Sequence, residues 1–345
     1  MTLTRPLIAV TLGDPGGVGP ELAVRLAKRP ESHEHADLVL VGDRSVIAMG
    51  EKAAGISLSL QPFNPLLRGL HGGKVLHLQT DTIAPEDIAT GEQSRAGGLA
   101  AVRMLGSALE LVQGGDVAGL LMMPVSEPLP KEDDLPGGSV AGVIGSFLGL
   151  GEPACEIAAM SSLWVTSVTG PAPFAEVPRL LSEDAIFKVC KVVHGALRSA
   201  GLQTPRIALT GLNPTITDAA GEERAMVIPA IARVREEGID CEGPFTAEAI
   251  FRHALDSGVD AVIAMYHDQA RIATSLMGFE RGLTFYAGLP APVMAPAHDP
   301  KFELAGKGKV EFEPSLAALN MMLTIAVERG PAFRFRGDTG RERKR

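Results

Sequence analysis

Residues 6–21 read PLIAVTLGDPGGVGPE. A short apolar run, Pro6–Thr11, has the character of a buried strand. It leads into a glycine-rich turn, and Pro20 is suited to the first turn of a helix. The segment is therefore a strand, a tight loop and a helix, the opening unit of an α/β domain. It is neither the GxGxxG dinucleotide fingerprint nor a Walker loop, because the third glycine and the Gly-Lys-Ser/Thr ending are missing. Asp14 follows the strand directly, where a carboxylate could reach a cleft. A purely structural turn explains the same pattern.

The pattern repeats along the chain. Ala36–Val41, Gly119–Met123, Ala158–Ser167, Arg206–Leu209 and Ala261–Met265 read as further strands. Helices are expected from Asp43 or Ser45, over Thr90–Val112, over Ser182–Gly201 with Ser182 as cap, and over Pro314–Glu328. The stretch Ile56–Thr90 reads as irregular. Strands alternating with helices predict a parallel or mixed sheet with crossovers. Ligands in such sheets bind beyond the strand carboxyl ends, so polar residues just after strands are the ones to weigh.

Composition agrees. The 345 residues include 39 Gly and 25 Pro but only 12 Phe, 2 Tyr and 1 Trp. That fits a loop-rich α/β enzyme and disfavours single-stranded nucleic-acid platforms, which need stacking rings. A formal charge of −9 argues against nonspecific nucleic-acid binding. A basic tail, Arg334–Arg345, reads as a solvated terminus. Three cysteines without a CxxC pair predict a reducing, cytoplasmic setting. No segment has the length and apolarity of a signal or a membrane span.

Four places could carry chemistry. Asp14 is the first. Tyr266-His267-Asp268-Gln269 comes straight off a buried strand and places an imidazole beside a carboxylate. Gly211-Leu212-Asn213-Pro214 follows another strand, although Asn before Pro is also an ordinary turn. His298-Asp299 followed by Gly306-Lys307-Gly308 offers free backbone amides and cations suited to a nucleotide, or a simple surface turn. The motifs GxSxG, HExxH and the EF-hand loop do not occur.

Together, TLGDPGGVGPE (Thr11–Glu21), GLNP (Gly211–Pro214), AMYHDQ (Ala264–Gln269), GFERG (Gly278–Gly282), AGLP (Ala287–Pro290) and ELAGKGK (Glu303–Lys309) resemble the 4-hydroxythreonine-4-phosphate dehydrogenase family. The resemblance implies a two-domain α/β fold of the isocitrate/isopropylmalate dehydrogenase type with an interdomain cleft. It places residues 1–125 plus 290–345 in the first domain and 126–289 in a second, dimerising one. It implies a homodimer and an NAD- or NADP-dependent oxidation of a hydroxyl on a small molecule, with decarboxylation in some members. Related members act on cis-dihydrodiols. It also implies a divalent metal on three histidines.

Carried over residue by residue, the resemblance is uneven. His267 matches one metal ligand. Thr215 occupies the second position, and Thr169–Pro173 has no histidine for the third. Asp268 and Glu248 are the nearby acids. One imidazole cannot hold a catalytic ion firmly, since such sites use about three protein ligands. The family's phosphate-gripping positions fall on Ile144-Gly145, Ser275, Thr284 and Val293. The loss of their cations argues for a non-phosphorylated substrate. Arg271 and Arg281 are candidates to grip a carboxylate, with Thr215, Ser275 and Thr284 lining the same pocket. The cofactor set is Asn213, His298, Gly306, Lys307 and Gly308, with Asp299 in place of a glycine. The catalytic set is His267, Asp268, Glu248 and Asp14. Two other readings stay open: a non-redox lyase, decarboxylase or isomerase on this fold, and a noncatalytic binding protein.

Overall fold

A computed structural model describes residues 5–64, 74–216 and 221–329. The basic tail lies outside the described residues. In chain order the strands are β1 (Leu7–Thr11), β2 (Asp37–Val41), β3 (Leu60–Pro62), β4 (Val75–Leu78), β5 (Gly119–Leu121), β6 (Cys155–Ala159), β7 (Trp164–Ser167), β8 (Arg206–Thr210), β9 (Asp240–Phe245), β10 (Ala261–Ala264), β11 (Leu283–Ala287) and β12 (Val293–Pro296). The helices are α1 (Gly19–Lys28), α2 (Arg44–Ala54), α3 (Arg95–Gln113), α4 (Val140–Leu148), α5 (Val177–Leu180), α6 (Glu183–Ser199), α7 (Ile228–Glu236), α8 (Ala247–Ser257), α9 (His267–Leu276) and α10 (Glu313–Arg329).

The described strands form one sheet in the order β3-β4-β2-β1-β5-β12-β11-β6-β7-β10-β8-β9. β1 pairs in parallel with β2 and β5, and β10 pairs in parallel with β7 and β8. Between these blocks, β11 is antiparallel to both β12 and β6, and β6 is antiparallel to β7. The two parallel blocks therefore run in opposite directions. Their carboxyl ends leave the sheet at opposite edges.

Alternation along each strand divides the core. Ile8 and Val10 on β1, Ile157 and Ala159 on β6, and Ala261 and Ile263 on β10 all belong to one continuous core. On the opposite face the core is split. Leu7 and Ala9 pack with α3 and α4, while Val262 and Ala264 pack with α8 and α9. A groove runs between these two helix layers. Its floor is the alternate face of β6 and β11, which carries Glu156, Ala158, Thr284 and Tyr286.

Two sequence readings need correction. Ala158–Ser167 is not one strand but the hairpin β6–β7, closed where the Met160 amide donates to Leu163 (3.3 Å). That turn contains neither Gly nor Pro, so the apolar run looks continuous. Ile56–Thr90 is not wholly irregular, because β3 and β4 extend the sheet edge; positions 65–73 lie outside the described residues. The helix expected from Thr90 begins at Arg95, since the Ser94 hydroxyl accepts from the Gly97 amide (3.0 Å) and caps it there.

The glycine loop after β1 ties the first block together. The Asp14 amide donates to Pro124 (2.9 Å), Val18 to Pro300 (2.9 Å) and Gly91 to Gly16 (2.8 Å). A Cβ on Gly16 would lie 2.6 Å from the Ala89 carbonyl, and one on Gly17 would lie 2.7 Å from Pro300. Only glycine permits backbones this close.

Asp14 is 1% exposed. Its Oδ1 accepts from the Gly16 amide (2.9 Å), while Oδ2 is buried with no partner among the described residues. Burial raises its pKa, and the Gly16 N–H only partly opposes this. A raised carboxyl pKa favours the protonated form in the folded state. The associated stability is complete below the unfolded-state value and is lost as pH rises through the folded one. Asp14→Asn, which keeps the acceptor and removes the charge, is expected to resist urea better than the wild type at pH 8. The difference should vanish toward pH 3. An equal or lower midpoint at pH 8 would contradict this account.

Candidate active site

Three neighbouring parallel strands, β7, β10 and β8, deliver the central residues to one sheet edge. Beyond β7, the Thr169 amide donates to Met265 (3.3 Å). Thr169 is buried, and its hydroxyl has no partner among the described residues. Beyond β8 come Asn213 and the exposed Thr215. Beyond β10, His267 opens α9. Gln269 fastens two of these ends. Its Oε1 accepts from the Thr210 hydroxyl (3.1 Å) and the Met265 amide (3.0 Å), and its Nε2 donates to Gly211 (3.1 Å).

His267 is half-buried, and its Nδ1 lies 3.3 Å from the Asp268 carboxylate. Its Nε2 makes no hydrogen bond among the described residues. Arg271 and Ser275 follow at one-turn spacing, which puts them on the same side of α9. The Arg271 guanidinium sits over the Phe279 ring at 5.4 Å. Arg281 is exposed just before β11, and Glu248 is exposed in the first turn of α8. Glu248 forms no ion pair among the described residues.

Asn213 is committed to the turn after β8. Its Nδ2 donates to Glu222 and Glu223, both at 2.9 Å, and its amide donates to Glu223 (2.8 Å). Desolvation works against the Glu223 charge. The donors from Asn213, led by its side chain, outweigh it and hold the carboxyl below its ordinary range.

The groove floor adds residues that motif reading missed. Glu156 and Tyr286 are direct partners in the β6–β11 register, so their side chains stand together on one face. Glu156 is open to the groove on one side, yet the surrounding protein desolvates it and raises its pKa. Glu127 adds to the rise, while Arg271 and His267 oppose it. Glu127 itself accepts from the first amide of α4, at Val140. Tyr286 is 5% exposed, and burial followed by the charges of Glu156 and Glu127 pushes its phenol well up. The only early signals were an acid inside an apolar strand and one of just two tyrosines.

The second cluster lies at the opposite sheet edge. His298 is 7% exposed, with Nδ1 3.0 Å from the Asp299 carbonyl oxygen. That contact assigns the proton to Nδ1 and leaves Nε2 as an acceptor. Nε2 is buried and has no partner among the described residues. Burial lowers the imidazole pKa, so the ring is neutral. The Asp299 carboxylate turns back on its own loop and accepts from the Lys301 amide (3.3 Å). Gly306 and Gly308 both hold positive φ, +72° and +66°. Gly306 lines a cavity of about 390 Å³ together with Pro15, Gly17, Glu21, Lys52 and Thr90.

The segment after β5 links the two clusters. Pro124 receives the Asp14 amide, and three residues later Glu127 lies near enough to Glu156 to add to the rise of its carboxyl pKa.

The donors present do not suit a tightly held divalent ion. The three strand ends offer one imidazole, the Asp268 carboxylate beside it and two threonine hydroxyls, and neutral hydroxyls are weak ligands. Among the described residues, no group of three His, Cys, Asp or Glu side chains is placed to hold a metal. For a dinucleotide, the glycine turn at Gly306 lines an accessible cavity, whereas the unpaired His298 Nε2 is buried and outside that lining.

Residues 34–322 match the family described as pyridoxal phosphate biosynthetic protein PdxA. A 4-hydroxythreonine-4-phosphate dehydrogenase from Geobacter metallireducens is 32% identical over 335 residues, covering 96% of this chain and 98% of that one. The crystal structure of the Klebsiella pneumoniae 4-hydroxythreonine-4-phosphate dehydrogenase superposes with a TM-score of 0.74 at 26% identity, covering 94% and 99% of the two chains. A terephthalate 1,2-cis-dihydrodiol dehydrogenase from Burkholderia xenovorans shares the fold at 22% identity, with a TM-score of 0.66 and coverage of 93% and 98%. The family implies NAD(P) use, with a metal normally needed. The chain belongs to the PdxA family and is an oxidoreductase of the 4-hydroxythreonine-4-phosphate dehydrogenase type.

Proposed function

We propose that the protein is an NAD(P)-dependent dehydrogenase acting on a small, non-phosphorylated hydroxy acid or cis-dihydrodiol. The observation that carries this reading is the His267–Asp268 pair at the end of β10, with Nδ1 3.3 Å from the carboxylate and Nε2 free. Asp268 orients the ring, and Nε2 accepts the proton of the substrate hydroxyl. Arg271, one turn along α9, holds a substrate carboxylate, and Ser275, Thr284 and Thr215 supply neutral donors. Arg281 is a second cation at the rim. His298, Gly306, Lys307 and Gly308 would hold the dinucleotide, which supplies the hydride acceptor when bound. Asn213 serves that site by shaping the turn after β8.

The loss of cations at the positions where the resemblance expects phosphate to be gripped supports a substrate without phosphate. At the phosphate-gripping positions that the sequence resemblance assigns, this chain has Ile144, Ser275, Thr284 and Val293. We take the two strand blocks as two domains, with residues 1–125 and 290–345 in one and 126–289 in the other. The groove between the helix layers is then their cleft. On α9, Ile272 and Leu276 are 66% and 85% exposed. We assign this apolar strip to contact with a second copy of the chain, in a cytoplasmic homodimer.

His267→Ala is expected to lower NAD(P) reduction by about 10²-fold or more, the ordinary scale of general-base catalysis. Purified protein should carry substoichiometric metal and keep its activity in EDTA. Unchanged turnover in His267→Ala would refute the role of the imidazole. Stoichiometric zinc or magnesium would refute the metal-free reading.

A further inference from the structure

The floor of the groove holds polar groups that the proton-transfer step does not use. Glu127 and Glu156 approach from opposite sides, one from the segment after β5 and one from β6. The Glu156 carboxylate makes no hydrogen bond among the described residues. Glu127 is held by the Val140 amide through one oxygen, which leaves the other free. Tyr286 pairs directly with Glu156 in the β6–β11 register, so its side chain stands beside that carboxylate; the residue is 5% exposed, and its hydroxyl is not an enclosed, unpartnered atom. Like-charged carboxylates held near each other favour a cation or a hydrogen-bond donor between them and disfavour an added anion. Arg271 and His267, both on α9, are the cations that oppose the rise at Glu156.

We propose that Glu127, Glu156 and Tyr286 form a specificity subsite that takes the hydrogen-bond-donating end of the substrate, a terminal hydroxyl or ammonium, and turns away a phosphate. The proposal rests on reading this groove as the substrate site. The substrate carboxylate sits toward Arg271, and its reacting hydroxyl faces His267. The far end then meets two acceptors and a phenol. A phosphate there would face two carboxylates with no cation of its own. The subsite thus selects by charge at the end of the molecule remote from the chemistry.

The test uses three probes on one skeleton with the full-length protein. They are 3,4-dihydroxybutyrate, 4-amino-3-hydroxybutyrate and the 4-phosphate of the first, each titrated by calorimetry. The hydroxyl or the ammonium compound should bind at least about tenfold more tightly than the phosphate ester. In Glu127→Gln/Glu156→Gln that preference should shrink about tenfold or more. Loss concentrated on the amino compound identifies an ammonium; equal loss identifies a hydroxyl. Tyr286→Phe, with its melting temperature checked, should weaken the hydroxyl probe without improving the phosphate ester. Three results would overturn the subsite: a phosphate ester that binds as well as the others, a preference unchanged in the double variant, or no binding of any probe. NAD(P) reduction is followed in parallel. Selective binding without hydride transfer would overturn the dehydrogenase reading and leave the subsite standing. Turnover with unselective binding would do the reverse.

Discussion

The first half of the molecule hangs on the close approach of backbones around Gly13–Gly19. Three hydrogen bonds leave this loop for segments far apart in sequence, at Pro124, Pro300 and Gly91. They fix the segment after β5, the His298 loop and the approach to α3 in one move. Side chains at Gly16 or Gly17 would push those backbones apart. Asp14 is carried inside the same knot, where its carboxyl is held largely without solvent or partners. Destabilising groups kept in place are characteristic of functional regions.

The sheet sets the two polar clusters at opposite edges. Its parallel blocks point in opposite directions, so the loops after β1 and β10 emerge at opposite edges. On one face the core is continuous across both blocks. On the other it divides, and the division is the groove. His267 and Arg271 lie on α9, Glu156 and Tyr286 stand side by side on β6 and β11, and Glu127 is held at the start of α4. The phenol and the raised carboxyl are environmental effects that depend on this arrangement.

Much of the scaffold was legible in the sequence because its signals are local. Apolar runs marked β1, β2, β5, β8 and β10, and Ser182 caps its helix in the expected way, whereas the Ser94 cap moves the start of α3 from the expected Thr90 to Arg95. The site was legible only in part. His267 and Asp268 are adjacent in sequence and follow a strand, so position alone exposed them. Glu156 and Tyr286 are 130 residues apart and become neighbours only through the β6–β11 register. No motif records a register. The opposed directions of the two blocks were equally hidden, because they follow from the short antiparallel strands in the middle. Asn213 looked like a ligand-facing residue, and its side chain is engaged by Glu222 and Glu223.

The central claim is that this cleft still holds a nicotinamide dinucleotide. The most direct measurement is a titration of the full-length protein with NADH and with NADPH, following nicotinamide fluorescence. The account predicts saturable binding of one of them, weakened at least about tenfold by His298→Ala through loss of the buried acceptor. Absence of binding by both, or binding indifferent to His298, would contradict it.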